Sequence, residues 1–188
     1  MTDRPLGPDG ADLRPLARLA ALGLRLPHTP APVTPDVPAL RVGTRVVTSG
    51  HLPLIDGSLP ATGRVGDGIT VPEAATLARV AAVNALAAVH GQVPLDDVVR
   101  VVRVVGYVAS ADGFTQQPAV VDGASHLLLH VFGERGRHVR SAVGVAWLPL
   151  GSPVAVELEV EVGPDTPALA HPPAGGASGA SSTEGEAP

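Results

Sequence analysis

The chain has 188 residues, 45% of them apolar and 16% charged, with a formal net charge of −5 and no cysteine; its 13 permanent cations are all arginine. That length supplies one domain with tails, and the acidic balance disfavours a phosphate-binding surface built from clustered Lys and Arg. Disulfides, thiolate nucleophiles and Cys-ligated zinc are excluded, and with Phe114, Phe132, Tyr107 and Trp147 as the whole aromatic complement, stacking platforms for single-stranded nucleic acid are missing too.

The N-terminus, Met1-Thr2-Asp3-Arg4-Pro5, has no basic segment leading into an apolar one. No stretch reaches the about 20 uninterrupted apolar residues of a membrane span. A cytoplasmic protein without membrane or nucleic-acid partners is the expectation. Residues 1–23 read as an N-terminal extension, in which Leu- and Ala-rich Ala11 to Leu22 predicts a short helix ending at Gly23. Five prolines between Leu26 and Pro38 require extended chain.

The folded body is expected over 24–162. Ala39 to Val42 and Arg45 to Ser49 are β-type runs joined by the hairpin signal Gly43-Thr44, and a third strand is expected near Leu59 to Val65. Gly63-Arg64-Val65-Gly66-Asp67-Gly68 lacks the Lys-Ser/Thr ending of a phosphate loop and reads as a flexible loop. Thr70-Val71-Pro72-Glu73 is a capping box opening a helix that is expected to run to His90 and stop at Gly91.

Val98 to Ala109 is too β-branched for a helix and predicts a long central strand, with Arg100 and Arg103 on opposite faces. Val120, Ala124, Leu127, Leu128 and Val131 recur at helical spacing up to Gly133. Ser141 to Leu148 and Val154 to Val162 are the last strands. Of residues 163–188, 19 are Gly, Pro, Ser or Ala, a composition that predicts a disordered tail. The order ββ(β)αβαββ is an α+β layer, a mixed sheet with two helices on one face. Its other face, rich in Val, Ala and Leu, predicts an association surface closed by a cyclic oligomer.

Arg140 stands at the mouth of the apolar strand Ser141-Ala142-Val143-Gly144-Val145. A guanidinium there needs an anion, either a small carboxylate gripped by two parallel hydrogen bonds or a structural Asp or Glu partner across a subunit boundary. Glu157, Glu159 and Glu161 alternate onto one face of the last strand and read as exposed strand residues. Asp122, His126, His130 and Glu134 recur every four residues on α-helical spacing; their stripe lies opposite the apolar one and reads as a solvated face, with no metal site expected. Ser141 begins a strand, not a sharp elbow, and is no convincing nucleophile.

Val47-Thr48-Ser49-Gly50-His51-Leu52-Pro53, Arg140-Ser141-Ala142-Val143-Gly144-Val145 with Leu148-Pro149, and Val156-Glu157-Leu158-Glu159 together resemble the RidA family, also called YjgF/YER057c/UK114 and L-PSP endoribonuclease-like. Asn84-Ala85-Leu86, Gly106-Tyr107-Val108-Ala109-Ser110 and Asp122-Gly123-Ala124-Ser125 look like its longer bacterial branch. The resemblance implies a chorismate-mutase-like fold, a homotrimer with clefts between subunits, and cofactor-independent hydrolysis of 2-imino and 2-enamino acids to 2-oxo acids and ammonia. It implies Arg140 as the carboxylate anchor, Ser49 and Gly50 as cleft lining, and Glu157 as the water-positioning acid. Glu159 is a rival because Leu150-Gly151-Ser152-Pro153 carries a two-residue insertion.

His51 stands where many members have Gln, and could reach substrate or sit on a neighbouring subunit. Asp122 stands where an Asn is common near the cleft, and Tyr107 lies on the strand matching the family's central one. Alternative readings are a non-catalytic trimer that binds small carboxylates or a partner protein and, third, a ribonuclease.

Overall fold

The computed structural model describes residues 14–28, 36–167 and 169. The expectations for residues 1–10, for most of the proline-rich segment and for the tail beyond 169 lie outside these. The described start of the tail is tied to the body, because Arg41 Nη1 donates to the Thr166 carbonyl at 2.6 Å and the Leu169 N–H to the Gln92 carbonyl at 3.0 Å.

The strands are β1 (Ala39–Val42), β2 (Arg45–Thr48), β3 (Arg64–Val65), β4 (Gly68–Ile69), β5 (Val98–Ala109), β6 (Val139–Val145) and β7 (Val154–Val162). The helices are α1 (Pro15–Ala21), α2 (Val71–Gln92) and α3 (Gln117–Phe132). One five-stranded mixed sheet has the order β1-β2-β7-β5-β6, with only β5 and β6 parallel. That parallel pair needs a crossover, which α3 supplies. The α+β layer expected from the sequence is present.

The capping box forms as read. Thr70 Oγ1 accepts from the Glu73 N–H, and the Glu73 carboxylate accepts from the Thr70 N–H at 2.8 Å. The helix end differs from expectation, since α2 passes through Gly91 to Gln92. Pro94 is the physical stop, because it drives the preceding Val93 out of the helical region, to φ −151° and ψ 152°. Helix α2 is long and apolar enough to cross a membrane by length and composition, but Ala74, Ala78, Ala81, Ala82, Ala85 and Ala88 are buried within the fold.

Two glycines set the layer spacing. A β-carbon on Gly123 would lie 1.9 Å from the Ala75 carbonyl oxygen, so α2 and α3 touch backbone to backbone there. A β-carbon on Gly106 would lie 2.3 Å from Val121 Cγ2, which fixes how closely α3 lies on β5. Around these contacts Val101, Val104, Val120, Ala124, Leu128, Leu158 and Val160 are buried. Each Val or Leu among them contributes about 1.5–3 kcal/mol.

Helix α1 belongs to this core. Leu19 is buried, and buried Arg18 donates Nη1 to the His130 carbonyl near the C-terminus of α3, where a cation is favoured.

Strand β5 pairs with β7 through two register shifts, which skip Val99 and Val102. Arg100 therefore sits opposite Glu161 and Arg103 opposite Glu159. Partners in register share a face, so the two arginines lie on one face, against the expectation from strict alternation. The open face is correspondingly mixed. Leu40, Val42, Val47, Val139 and Val143 are exposed around a charged centre of Arg45, Arg100, Arg103, Glu157, Glu159 and Glu161.

The Gly63 to Gly68 run is not a free loop. Arg64–Val65 and Gly68–Ile69 form a small parallel pair, Val65 is fully buried, and its carbonyl accepts from the Ala111 N–H at 2.9 Å. The strand expected near Leu59 to Val65 is reduced to these last two residues.

Candidate functional site

The pairing of β2 with β7 breaks where the first group of site residues lies. After Val47 opposite Glu159, pairing resumes only at His51 opposite Val156. Three residues, Thr48, Ser49 and Gly50, thus span two, Glu157 and Leu158, making a local bulge. Thr48 repairs the ladder with its side chain, since its Oγ1 accepts from the Leu158 N–H at 2.9 Å. The bulge leaves Gly50 over Glu157, and a β-carbon there would stand 3.8 Å from Glu157 Oε1.

Ser49 Oγ donates to the Val37 carbonyl at 2.6 Å. The half-buried His51 ring meets the Pro38 carbonyl through Nε2 at 3.1 Å. Burial lowers its pKa, opposed by that hydrogen bond. Ser49 and His51 therefore tie the chain before β1 to the bulge.

Tyr107 reaches Glu157 diagonally across β5 and β7 and hydrogen-bonds it. Burial raises the phenol pKa, and the carboxylate charge and hydrogen bond of Glu157 raise it further, against a smaller opposing pull from Arg103. Tyr107 thus stays a hydroxyl donor. Glu159 is engaged differently, in an ion pair with Arg45.

Arg140 lies on the other side of the sheet. Val104 of β5 pairs with Arg140 on one side and Leu158 on the other, whereas Val105 pairs with Ser141 and Glu157. The β pleat sends Arg140 toward the helices and Glu157 toward the open face. Within one chain they cannot meet around one small molecule.

At the sheet edge, Arg140 Nη1 donates to Asp122 Oδ1 at 2.6 Å and to Ser125 Oγ at 3.0 Å. Both partners come from α3, three residues apart on neighbouring positions of one helical face. Ser125 Oγ is 3.0 Å from His138 Nε2, and His138 Nδ1 is 2.6 Å from the Gly136 carbonyl. Among the described residues, Nε and Nη2 of Arg140 have no partner. These two form the edge of the guanidinium that can grip a carboxylate with parallel hydrogen bonds. The Arg140 side chain is 26% exposed and that of Asp122 46%.

The Asp122, His126, His130, Glu134 stripe does not converge. Asp122 turns to Arg140, while exposed His126 and His130 line a groove of about 350 Å³ with Arg79 and Thr76. Among the described residues no group of three His, Asp or Glu side chains is placed to hold a metal. Ser125 was not singled out as a site residue from the sequence. The signal for Ser125 was its spacing of three from Asp122; His138, two residues before Arg140, reads from the sequence as a residue at the rim of its site.

The description "YjgF/chorismate mutase-like, putative endoribonuclease" matches residues 16–162. The chain belongs to this family. Protein TCP17 of Trypanosoma cruzi is 42% identical over 151 residues, spanning 79% of this chain and 94% of that protein. The crystal structure of Atu1372 from Agrobacterium tumefaciens, of unknown function, superposes with a TM-score of 0.73 at 37% identity, over 79% of this chain and 93% of that one. That of a "putative endoribonuclease" from Shewanella oneidensis superposes at 0.75 with 35% identity, over 80% and 100%. The YjgF gene product of E. coli, at 23% identity and a TM-score of 0.51 over 71% and 93%, shares the fold.

Proposed function

We propose that this chain hydrolyses small reactive 2-imino and 2-enamino acids to 2-oxo acids and ammonia, at clefts that two copies of the chain build together in a homotrimer. The observation that carries this reading is the free Nε and Nη2 edge of Arg140, a carboxylate fork held out at a sheet edge by Asp122 and Ser125. Arg140 and Glu157 point to opposite sides of one sheet, so a site using both must borrow one from a second copy.

In this mechanism Arg140 fixes the substrate carboxylate, which places the adjacent C=N carbon. Glu157 orients a water and takes its proton as the oxygen bonds to that carbon. Glu157 passes that proton to the nitrogen, giving a carbinolamine, and then relays the hydroxyl proton to it as well; the carbon–nitrogen bond breaks, ammonia leaves, and the oxygen becomes the 2-oxo group. Glu157 suits this role better than Glu159, because Glu159 is held by Arg45 whereas Glu157 lies beside Gly50 with Tyr107 donating to it. No step calls for a cofactor.

The alternative is a trimer that binds small carboxylates without turnover. In either reading a bound acid sits beside Asp122, which already pairs with Arg140. The family description's ribonuclease activity is disfavoured by the acidic chain without lysine.

Freshly generated 2-iminobutanoate, incubated with purified protein, separates these. Accelerated release of 2-oxobutanoate that Arg140→Ala abolishes is the expected result. Binding of 2-oxobutanoate without acceleration supports the carboxylate module, and nuclease activity that survives Arg140→Ala and rigorous repurification overturns both.

A further inference from the structure

We propose that Ser125 and His138 are positioning residues that hold the Arg140 guanidinium in its carboxylate-gripping orientation, and that protonation of His138 loosens this hold. The inference rests on the reading of Arg140 as a carboxylate anchor and adds a pH-dependent support behind it.

The polarity of the chain of hydrogen bonds is set at its far end. The Gly136 carbonyl can only accept, so His138 Nδ1, 2.6 Å away, must carry a proton. In the neutral ring Nε2 is then an acceptor, and Ser125 Oγ–H, 3.0 Å away, donates to it. The lone pairs of Ser125 Oγ are left to accept from Arg140 Nη1, also at 3.0 Å. Donors thus run one way, from Arg140 through Ser125 and His138 to Gly136. Both hydrogens of Nη1 are used, one on Ser125 and one on Asp122, which stops the guanidinium plane from turning and leaves the Nε and Nη2 edge outward.

When His138 takes a second proton, Nε2 becomes a donor. Ser125 Oγ must then accept from both sides and turn its own hydrogen away. Two cations also face each other across one hydroxyl, which costs most where water is scarce. The charged groups around His138 are few. Arg140 comes from β6 and Asp122 from α3; in the preceding turn Glu134 and Arg137 pair with each other at 2.7 Å, and Arg135 donates Nη1 to the Val98 carbonyl at 2.8 Å. On β5 the residues of that face, Val101 and Val104, are uncharged. Burial is the main influence lowering the His138 pKa, the Arg140 charge lowers it too, and the Gly136 hydrogen bond opposes both. The neutral, clamping form therefore prevails at pH 7 and is lost only on acidification to below the ordinary histidine range.

The test is binding of 2-oxobutanoate, which stays ionised throughout, by calorimetry between pH 7.5 and pH 5. Wild type is expected to lose about fivefold in affinity across that range. Ser125→Ala and His138→Ala each lose about tenfold at pH 7.5, lose little more together, and have flat pH profiles. His138→Gln, whose amide oxygen can accept from Ser125 but cannot titrate, restores most of the affinity and keeps the profile flat. Binding that Arg140→Ala abolishes while Ser125→Ala and His138→Ala behave as wild type overturns the clamp and leaves the anchor standing. Absence of binding by wild type overturns the anchor itself. A readout without variants of the clamp is imidazole NMR of the native protein. It should show the Nδ1–H tautomer for His138 at pH 7.5, and Arg140→Ala should raise its titration midpoint; an Nε2–H tautomer overturns the proposal.

Discussion

Tyr107 and Glu157 form a pair that can be watched directly, because Tyr107 is the single tyrosine of the chain. Phenolate absorbance at alkaline pH therefore reads this one residue. Its pKa lies above the ordinary value of 10.0, through burial first and the Glu157 carboxylate second. The folded state thus binds more protons than the unfolded one just above pH 10. This contribution to stability is full below the unfolded pKa and is lost as pH rises through the folded one. The expected absorbance midpoint is above 10, and Glu157→Gln should lower it. If Glu157 also handles the attacking water, the same variant should reduce kcat by about 100-fold or more with little change in KM. The pair was only half legible beforehand. Alternation put Glu157 on one face of its strand, but the diagonal contact with Tyr107 depends on the β5–β7 register, which the bulges reset.

At the level of elements, local chemistry was readable and long-range contact was not. The start of α2 was plain because the capping box involves residues three apart, whereas its end was misplaced by two residues because Pro94 overrides Gly91. Gly123 shows the other side. In the sequence it is a glycine inside a helix, ordinarily a weakness of about 1 kcal/mol against Ala. In the fold it is where α3 meets the backbone of α2. Gly123→Ala should therefore destabilise, by about 3 kcal/mol or more, because the obstructing atom is a carbonyl that cannot move without its helix. Urea denaturation at fixed protein concentration would measure this. A stabilised variant would show that the helices are further apart than described.

On the scale of the whole molecule, the open sheet face is the feature a single chain leaves unresolved. Exposed Val42, Val47, Val139 and Val143 surround a centre of arginines and glutamates. An apolar rim around charges of both signs suits association with further copies of the chain, as the proposed trimer requires. Native mass measurement is expected to give three copies, and Val143→Asp, on the exposed β6 edge strand, to shift the mass toward the monomer. A monomeric wild type would remove the second copy that a shared site of Arg140 and Glu157 requires.

The amino-acid order alone was enough for the α+β layer, the order of its main elements and the family, and it named candidate residues without Ser125. Those depend on patterns within a few residues, on capping, β-branching and helical or strand periodicity, and on short motifs. Tertiary structure decided which candidates share a space. It joined Asp122, Ser125 and His138 to Arg140, set Gly50 and Tyr107 against Glu157, and put the two groups on opposite faces of one sheet. The physical reason is register: one skipped residue in a strand pairing reverses the face of every side chain beyond it, and no local pattern announces the skip.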